Sequence, residues 1–223
     1  MASLFRNSSM LGFLPAPVQQ PEGMAIAVLS ILYAVGVVGV LLPIHPDFIF
    51  LTPLNVLISV SVMLGFHQRW TSRFVAYLGI CFVVGFGAEV YGVQTGRLFG
   101  AYTYGEVLGI KVFETPLLIG VNWVLVTYSA AAAVGAVFPK LPRLAGSALA
   151  AVSMVLLDVL IEPDAIQYGF WTWDNGNVPM QNYLGWFLIA LPLQLLLGAW
   201  IGRVKSNVAA ALFILQGLFF ALI

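Results

Sequence analysis

Apolar residues fall in seven long blocks, at residues 24–42, 48–66, 74–91, 116–138, 144–161, 183–201 and 207–223. A helix that crosses roughly 30 Å of hydrocarbon needs about 20 mostly apolar residues. The first six blocks meet or approach that length, and the last holds 17 residues. The first block is too long and too evenly apolar for a secretory signal core, and no small-x-small cleavage site follows it. This predicts a retained first helix. The pattern therefore predicts an all-α, polytopic integral membrane protein. About seven transmembrane helices form one bundle over residues 24–223, preceded by a polar, Pro-bearing tail at residues 1–23.

The breaks between blocks are uneven. Those at residues 43–47, 67–73, 139–143 and 202–206 are short, whereas 92–115 and 162–182 each exceed 20 residues. Unstructured connections of that length are usually functional. No internal repeat and no low-complexity segment is evident.

Composition agrees with the pattern. Charged residues make up 8% of the 223-residue chain, where an ordinary soluble domain has roughly 25%. The apolar share is 61% and the mean hydropathy is +0.99. A compact soluble chain of this size could not hide so much apolar surface. The formal net charge is zero and no long basic run occurs, which argues against nucleic-acid binding. The lone Cys81 excludes a disulfide within the chain and a Cys-built metal site.

Sorted by side, the charges orient the bundle. With seven spans, Arg6, Arg69, Arg73, Lys140, Arg143, Arg203 and Lys205 share one face, against Arg97 and Lys111 on the other. The asymmetry predicts a cytoplasmic N-terminus and an outside C-terminus. Asp47, Glu106, Glu114, Asp164 and Asp174 fall in outer connections, and only Glu22 on the inner side.

Three acids remain near the outer ends of predicted helices: Glu89 in the third, and Asp158 and Glu162 in the fifth. Ionisable groups in a bilayer are costly and commonly functional. Asp158 and Glu162 are four residues apart, so they share a helical face. Any one acid alone reads equally well as a hydrogen-bonded structural group. Three at one depth, beneath both long connections, favour a functional site. An acid shielded from water can hold a proton and deliver it to a greasy substrate.

Both long connections are dense in aromatics and glycine. Tyr91, Phe99, Tyr102 and Tyr104 lie in or beside the first, and Phe170, Trp171, Trp173, Tyr183 and Trp186 in or beside the second. An interfacial aromatic belt accounts for Trp70 or Trp200. It does not account for this density with Asp174, Asn175 and Asn177 interleaved. Aromatic faces stabilise cations, by about 2 kcal/mol or more where water is excluded. Gly92, Gly96 and Gly100 recur every four residues, as in a small-xxx-small helix contact or a flexible loop. His45 and His67 fall on opposite faces and cannot share a metal. Asn122 and Trp123 suit either a pocket wall or core packing. No phosphate loop, dinucleotide fingerprint or nucleophile elbow is present.

Several of these segments form a pattern: Gly87-Ala88-Glu89-Val90-Tyr91-Gly92, Thr95-Gly96, Phe99-Gly100-Ala101-Tyr102-Thr103-Tyr104 and Thr115-Pro116-Leu117-Leu118-Ile119-Gly120-Val121-Asn122-Trp123. It continues with Asp158, Glu162-Pro163, Phe170-Trp171-Thr172-Trp173 and Val178-Pro179-Met180-Gln181-Asn182-Tyr183-Leu184-Gly185-Trp186. On these residues the chain resembles the membrane carotenoid-biosynthesis family that includes the CruF-type carotenoid hydratases, over residues 85–198. One segment departs from the family pattern. Lys-Leu-Asp is expected before the second aromatic pair, and Asp164-Ala165-Ile166-Gln167-Tyr168-Gly169 has neither that Lys nor that Asp.

The resemblance implies addition of water to the terminal isopropylidene double bond of an acyclic carotenoid, giving a tertiary alcohol. Asp158 or Glu89 would donate the proton, and Glu162 would tune it or activate water. Tyr91, Tyr102, Tyr104, Trp171 and Trp173 would shield the cation, while Asn122, Asn182 and Arg97 orient water or carboxylates. Thr95, Phe99, Trp123 and Trp186 complete the candidate substrate-binding set. No cofactor and no metal is implied. The implied partners are an acyclic carotenoid and membrane lipid, with no nucleic acid. A carotenoid cyclase would use the same protonation, and a carotenoid-binding or transport protein would use the pocket alone. A retinal protein needs a Lys within a span, and none of the nine basic residues lies in one.

Overall fold

The computed structural model describes residues 20–42 and 45–223. The described residues form an all-α membrane bundle of seven helices. They are α1 (Pro21–Leu41), α2 (Thr52–Gly65), α3 (Ser72–Thr95), α4 (Leu118–Val137), α5 (Arg143–Gln167), α6 (Met180–Trp200) and α7 (Asn207–Leu222). A 3-10 turn, Pro46–Leu51, leads into α2 without a break, and together they reach spanning length. Among the described residues, six stretches are long and apolar enough to cross a membrane. The seventh, α7, has 16 residues and covers about 24 Å at about 1.5 Å per residue. Helix α1 begins inside the predicted tail, because Pro21 suits the first helical position. Residues 1–19 of that tail, with Arg6, lie outside the described residues.

Helix α4 is the axis of the bundle, with α2, α3, α5, α6 and α7 packed around it. Fourteen of its 20 residues are buried. The run Ser129-Ala130-Ala131-Ala132-Ala133 explains why, since small side chains let neighbouring helices approach closely. The outer surface is apolar instead: Ile31, Val83, Leu144 and Leu188 are exposed, as lipid-facing positions should be. Inside, the Gln194 amide donates to the Thr127 carbonyl (2.8 Å) and the Ser147 hydroxyl to the Gln194 carbonyl (3.0 Å). These bonds tie α4, α5 and α6 together.

The two long connections are built segments rather than unstructured loops, and both are shorter than predicted. Helix α3 continues to Thr95 and closes on Gly96, whose φ of 65° is the left-handed cap that favours glycine. Helix α5 continues through Pro163 to Gln167. A proline inside a helix is tolerated in membrane proteins where neighbours satisfy the freed backbone groups. Glu162 and Asp164 are therefore helical and buried, although the sequence pattern places Asp164 in an outer loop. The glycine series is not a helix-contact stripe either: Gly92 lies in α3, Gly96 caps it, and Gly100 lies beyond at φ 110°.

Beyond each of these two helices the chain forms a short strand. β1 (Tyr102–Tyr104) pairs antiparallel with β4 (Trp171–Trp173), in the register Tyr102 to Trp173, Thr103 to Thr172 and Tyr104 to Trp171. Each is an aromatic-Thr-aromatic triplet, so strand alternation puts all four aromatics on one face. The ribbon closes tightly at Gly105, where a Cβ would collide with the Gly169 carbonyl. Between them, β2 (Lys111–Val112) and β3 (Thr115–Pro116) form a hairpin. Its two turn residues, Phe113 (φ 52°) and Glu114 (φ 60°), are left-handed without being glycine.

Candidate functional site

The aromatic face of the β1–β4 ribbon covers the C-terminal ends of α3 and α5, and its polar atoms all point at carboxylates. Glu89, in α3, accepts from the Tyr102 hydroxyl (2.5 Å), the Tyr104 hydroxyl (2.8 Å) and the Trp123 indole N–H (3.1 Å). Glu162, in α5, accepts from the indole N–H groups of Trp171 (2.9 Å) and Trp173 (2.9 Å) and from the Asn182 amide (3.1 Å). One strand thus serves one carboxyl and its partner strand serves the other.

Asn182, in the first turn of α6, joins the third acid to the cluster. Its Nδ2 donates to Asp158 (2.7 Å) as well as to Glu162. All three acids are buried, at 4% exposure or less. Asp158 sits one helical turn below Glu162, as their spacing predicts. Burial, and next the neighbouring Glu89 carboxylate, push the Tyr102 and Tyr104 phenols well above the usual tyrosine value. Both therefore remain donors.

The packing that holds these groups relies on glycines. A Cβ at Gly85 would run into the Trp123 indole, so the missing side chain one turn below Glu89 is what seats that donor. Gly92 leaves room for Phe99, and Gly185 for Phe99 and the Leu98 carbonyl. The Trp123 and Trp186 rings stack at 4.5 Å between centroids.

Glu89 and Glu162 face a shared cavity of about 20 Å³, walled by Tyr102, Tyr104, Asn122, Trp123, Trp171, Trp173, Asn182, Trp186 and Ile119. That is room for about one water molecule. Eight of the twelve residues expected to bind substrate thus meet in one place. The other four do not line it. Tyr91 is exposed on the outside of α3. The Thr95 hydroxyl donates to the Tyr91 carbonyl (2.6 Å) and so finishes the helix. Arg97 is exposed, and its carbonyl accepts from the Gln181 amide. Phe99 is buried between Gly92 and Gly185, behind the ribbon. Asp158 also lies off the cavity wall, reaching it only through Asn182. Ile119 and Gly85 belong to the site without standing out in the sequence. A glycine one helical turn before a candidate acid is the available signal for the second.

Among the described residues, no group of three or more His, Cys, Asp or Glu side chains is arranged to hold a metal ion. No solved structure matches the chain. A stretch of 116 residues is 30% identical to the bisanhydrobacterioruberin hydratase of Haloarcula japonica, covering 46% of this chain and 37% of that protein. The match thus spans little more than a third of the length of that curated relative. Residues 51–222 match the family described as carotenoid biosynthesis protein. The spanning helices, the buried acids under an aromatic ribbon and this match over most of the sequence agree: the chain belongs to the carotenoid biosynthesis protein family.

Proposed function

We propose that this protein is a carotenoid hydratase, which adds water to the terminal isopropylidene double bond of an acyclic carotenoid through a tertiary carbocation. The observation that carries the reading is the pair of carboxyl groups, Glu89 and Glu162, facing one small cavity with aromatic rings on its other walls. The hydratase likeness of the Haloarcula japonica relative supports the same reaction.

Asp158 and Glu162 share one amide donor in a buried site. Two such carboxyl groups hold one negative charge more readily than two, so they carry one proton between them. Glu162 is the member on the cavity wall and delivers that proton to the less substituted carbon of the double bond. The adjacent carbon becomes a tertiary cation, stabilised by the surrounding Trp and Tyr rings. Water adds to that carbon and releases its surplus proton to Glu89. Three donors and no competing acceptor suit Glu89 to the role of base. The net change is one water added per end group, and passage of the proton from Glu89 back to the Asp158–Glu162 pair resets the site. Asp158 acts here as the partner that shares the proton with Glu162.

The bundle 24–223 forms a single domain in this reading, with the N-terminus cytoplasmic and the site near the outer surface. Arg69, Arg73, Lys140, Arg143, Arg203 and Lys205 support that orientation, since they lie in the connections away from the ribbon or, for Arg73 and Arg143, in the first turn of the helix that follows. Expression in cells that accumulate acyclic carotenoids, followed by pigment mass analysis, tests the reaction. Hydration adds the mass of one water per end. Products isomeric with the substrate would instead indicate cyclisation, and unchanged pigment would remove the enzymatic reading.

A further inference from the structure

A second cavity, of about 100 Å³, adjoins the acid pocket, and Ile119, Asn122 and Trp171 belong to the walls of both. It lies among α1, α2, α4, α5 and α7, and none of them contributes an acid to its walls. No charged residue lines it, and Val56, Leu118, Ile161, Phe219 and Phe220 form much of its surface. Three of its polar side chains are engaged locally. The Thr52 hydroxyl donates to the Ile49 carbonyl (2.7 Å), the Gln216 amide to the Leu212 carbonyl (3.4 Å), and Asn55 Oδ1 accepts from Ser59 (3.1 Å). What remains is a cavity walled mostly by hydrocarbon, which meets the pocket of Glu162 at Ile119, Asn122 and Trp171.

We infer that this cavity holds the chain of a linear polyene, end group first, with the terminal double bond carried past Ile119 and Trp171 to Glu162. The inference rests on the hydratase reading for the identity of the end group. The wall shared with the acid pocket fixes one end of the occupant. The 20 Å³ beside the acids cannot hold a polyene chain, so the hydrocarbon lies in the larger volume and only its terminal double bond meets the acid pocket, at the wall the two cavities share. The wall holds no Lys or Arg to receive a phosphate headgroup, which favours an uncharged chain over a phospholipid. The half-buried carboxamide of Asn122, with no side-chain hydrogen bond among the described residues, stands at the junction of the two cavities. It is positioned to hold the attacking water beside the entering end group.

Val56 lies on the α2 side of the cavity, away from the acids, which makes it the position to probe. The full chain is purified in detergent with lycopene as the probe, and bound pigment is measured per protein. Val56→Trp should lower lycopene bound by about tenfold, equivalent to about 1.4 kcal/mol, while Val56→Ala retains it. In a second variant, Val56→Cys, lycopene should slow alkylation by a hydrophobic maleimide by about tenfold; the native Cys81 is buried and does not compete. Alkylation of Val56→Cys at the same rate with and without lycopene, or slowed equally by the saturated chain squalane, would overturn the inference. Both readouts are binding measurements. A chain that holds lycopene in this way but never hydrates it would leave the cavity in place and remove the hydratase reading.

Discussion

Tyr102 and Trp173 face each other across the β1–β4 ribbon with ring centroids 4.9 Å apart, yet their polar atoms serve different acids. The Tyr102 hydroxyl goes to Glu89 and the Trp173 indole to Glu162. A single pair of strands therefore sets the position of two carboxyl groups carried on two separate helices. The consequence is that the acids can be tested one at a time without dismantling the other's support.

Glu162→Gln keeps an acceptor for Trp171, Trp173 and Asn182 but cannot deliver a proton. It should insert at the normal level and lose about 10²–10⁴-fold in rate, the range expected for a positioned proton donor. Asp158→Asn, which breaks the shared proton from behind, should fall within the same range. Pigment extracted from membranes of each variant, normalised to protein, checks both. Full activity in Asp158→Asn would remove Asp158 from the reaction.

Tyr102→Phe removes one donor to Glu89, and a hydrogen bond to a charged group contributes about 1.5–3 kcal/mol. Because burial and the Glu89 carboxylate push this phenol well above the usual tyrosine value, it stays protonated through mildly alkaline pH. The variant should be slower at every pH, with the alkaline arm of its rate profile where it was. An alkaline arm displaced in Tyr102→Phe would mean that the phenol itself titrates.

Gly85→Ala introduces a methyl group where the Trp123 indole lies. Such overpacking costs about 1–3 kcal/mol, read as a lower Tm in detergent. The rate should fall as well, because the displaced indole no longer donates to Glu89. An unchanged Tm would show that the indole has room to move.

His67 lies in the connection between α2 and α3, stacked on Phe74 with 3.6 Å between ring centroids. Its Nε2 donates to the Arg69 carbonyl (2.9 Å), and its Nδ1 lies 2.6 Å from the Tyr128 hydroxyl, which fits the neutral ring. Burial lowers its pKa from the ordinary 6.5. The unfolded chain therefore binds the proton more readily, and stability should fall as pH drops below about 6.5. Thermal unfolding across that range checks this, and His67→Phe should flatten the dependence.

Much of this arrangement is legible in the sequence, for identifiable reasons. Helices carry their pattern in every turn, so the apolar blocks mark the spans to within a few residues. Glu89, Asp158 and Glu162 stand out because a carboxyl in an apolar block is rare, and the block ends give their depth. The ribbon is not legible in the same way, because three-residue strands are too short for alternation to register. Yet the two triplets, Tyr102-Thr103-Tyr104 and Trp171-Thr172-Trp173, carry the same pattern. Without that pairing, the aromatics read only as ring faces for a cation, although four of them also donate hydrogen bonds to the acids. Helix ends mislead where tertiary packing overrides a local signal. Pro163 suggests a stop, but packing carries α5 on to Gln167 and takes Asp164 with it.

The most direct test of the central claim is the isotopic composition of the product. Membranes containing the full chain are incubated with an acyclic carotenoid in water enriched in heavy oxygen and deuterium, and the product is analysed by mass spectrometry. Acid-catalysed hydration requires one solvent oxygen in each new hydroxyl group and one solvent deuterium on the neighbouring carbon. A product that carries solvent deuterium but no solvent oxygen, with the mass otherwise unchanged, would contradict it.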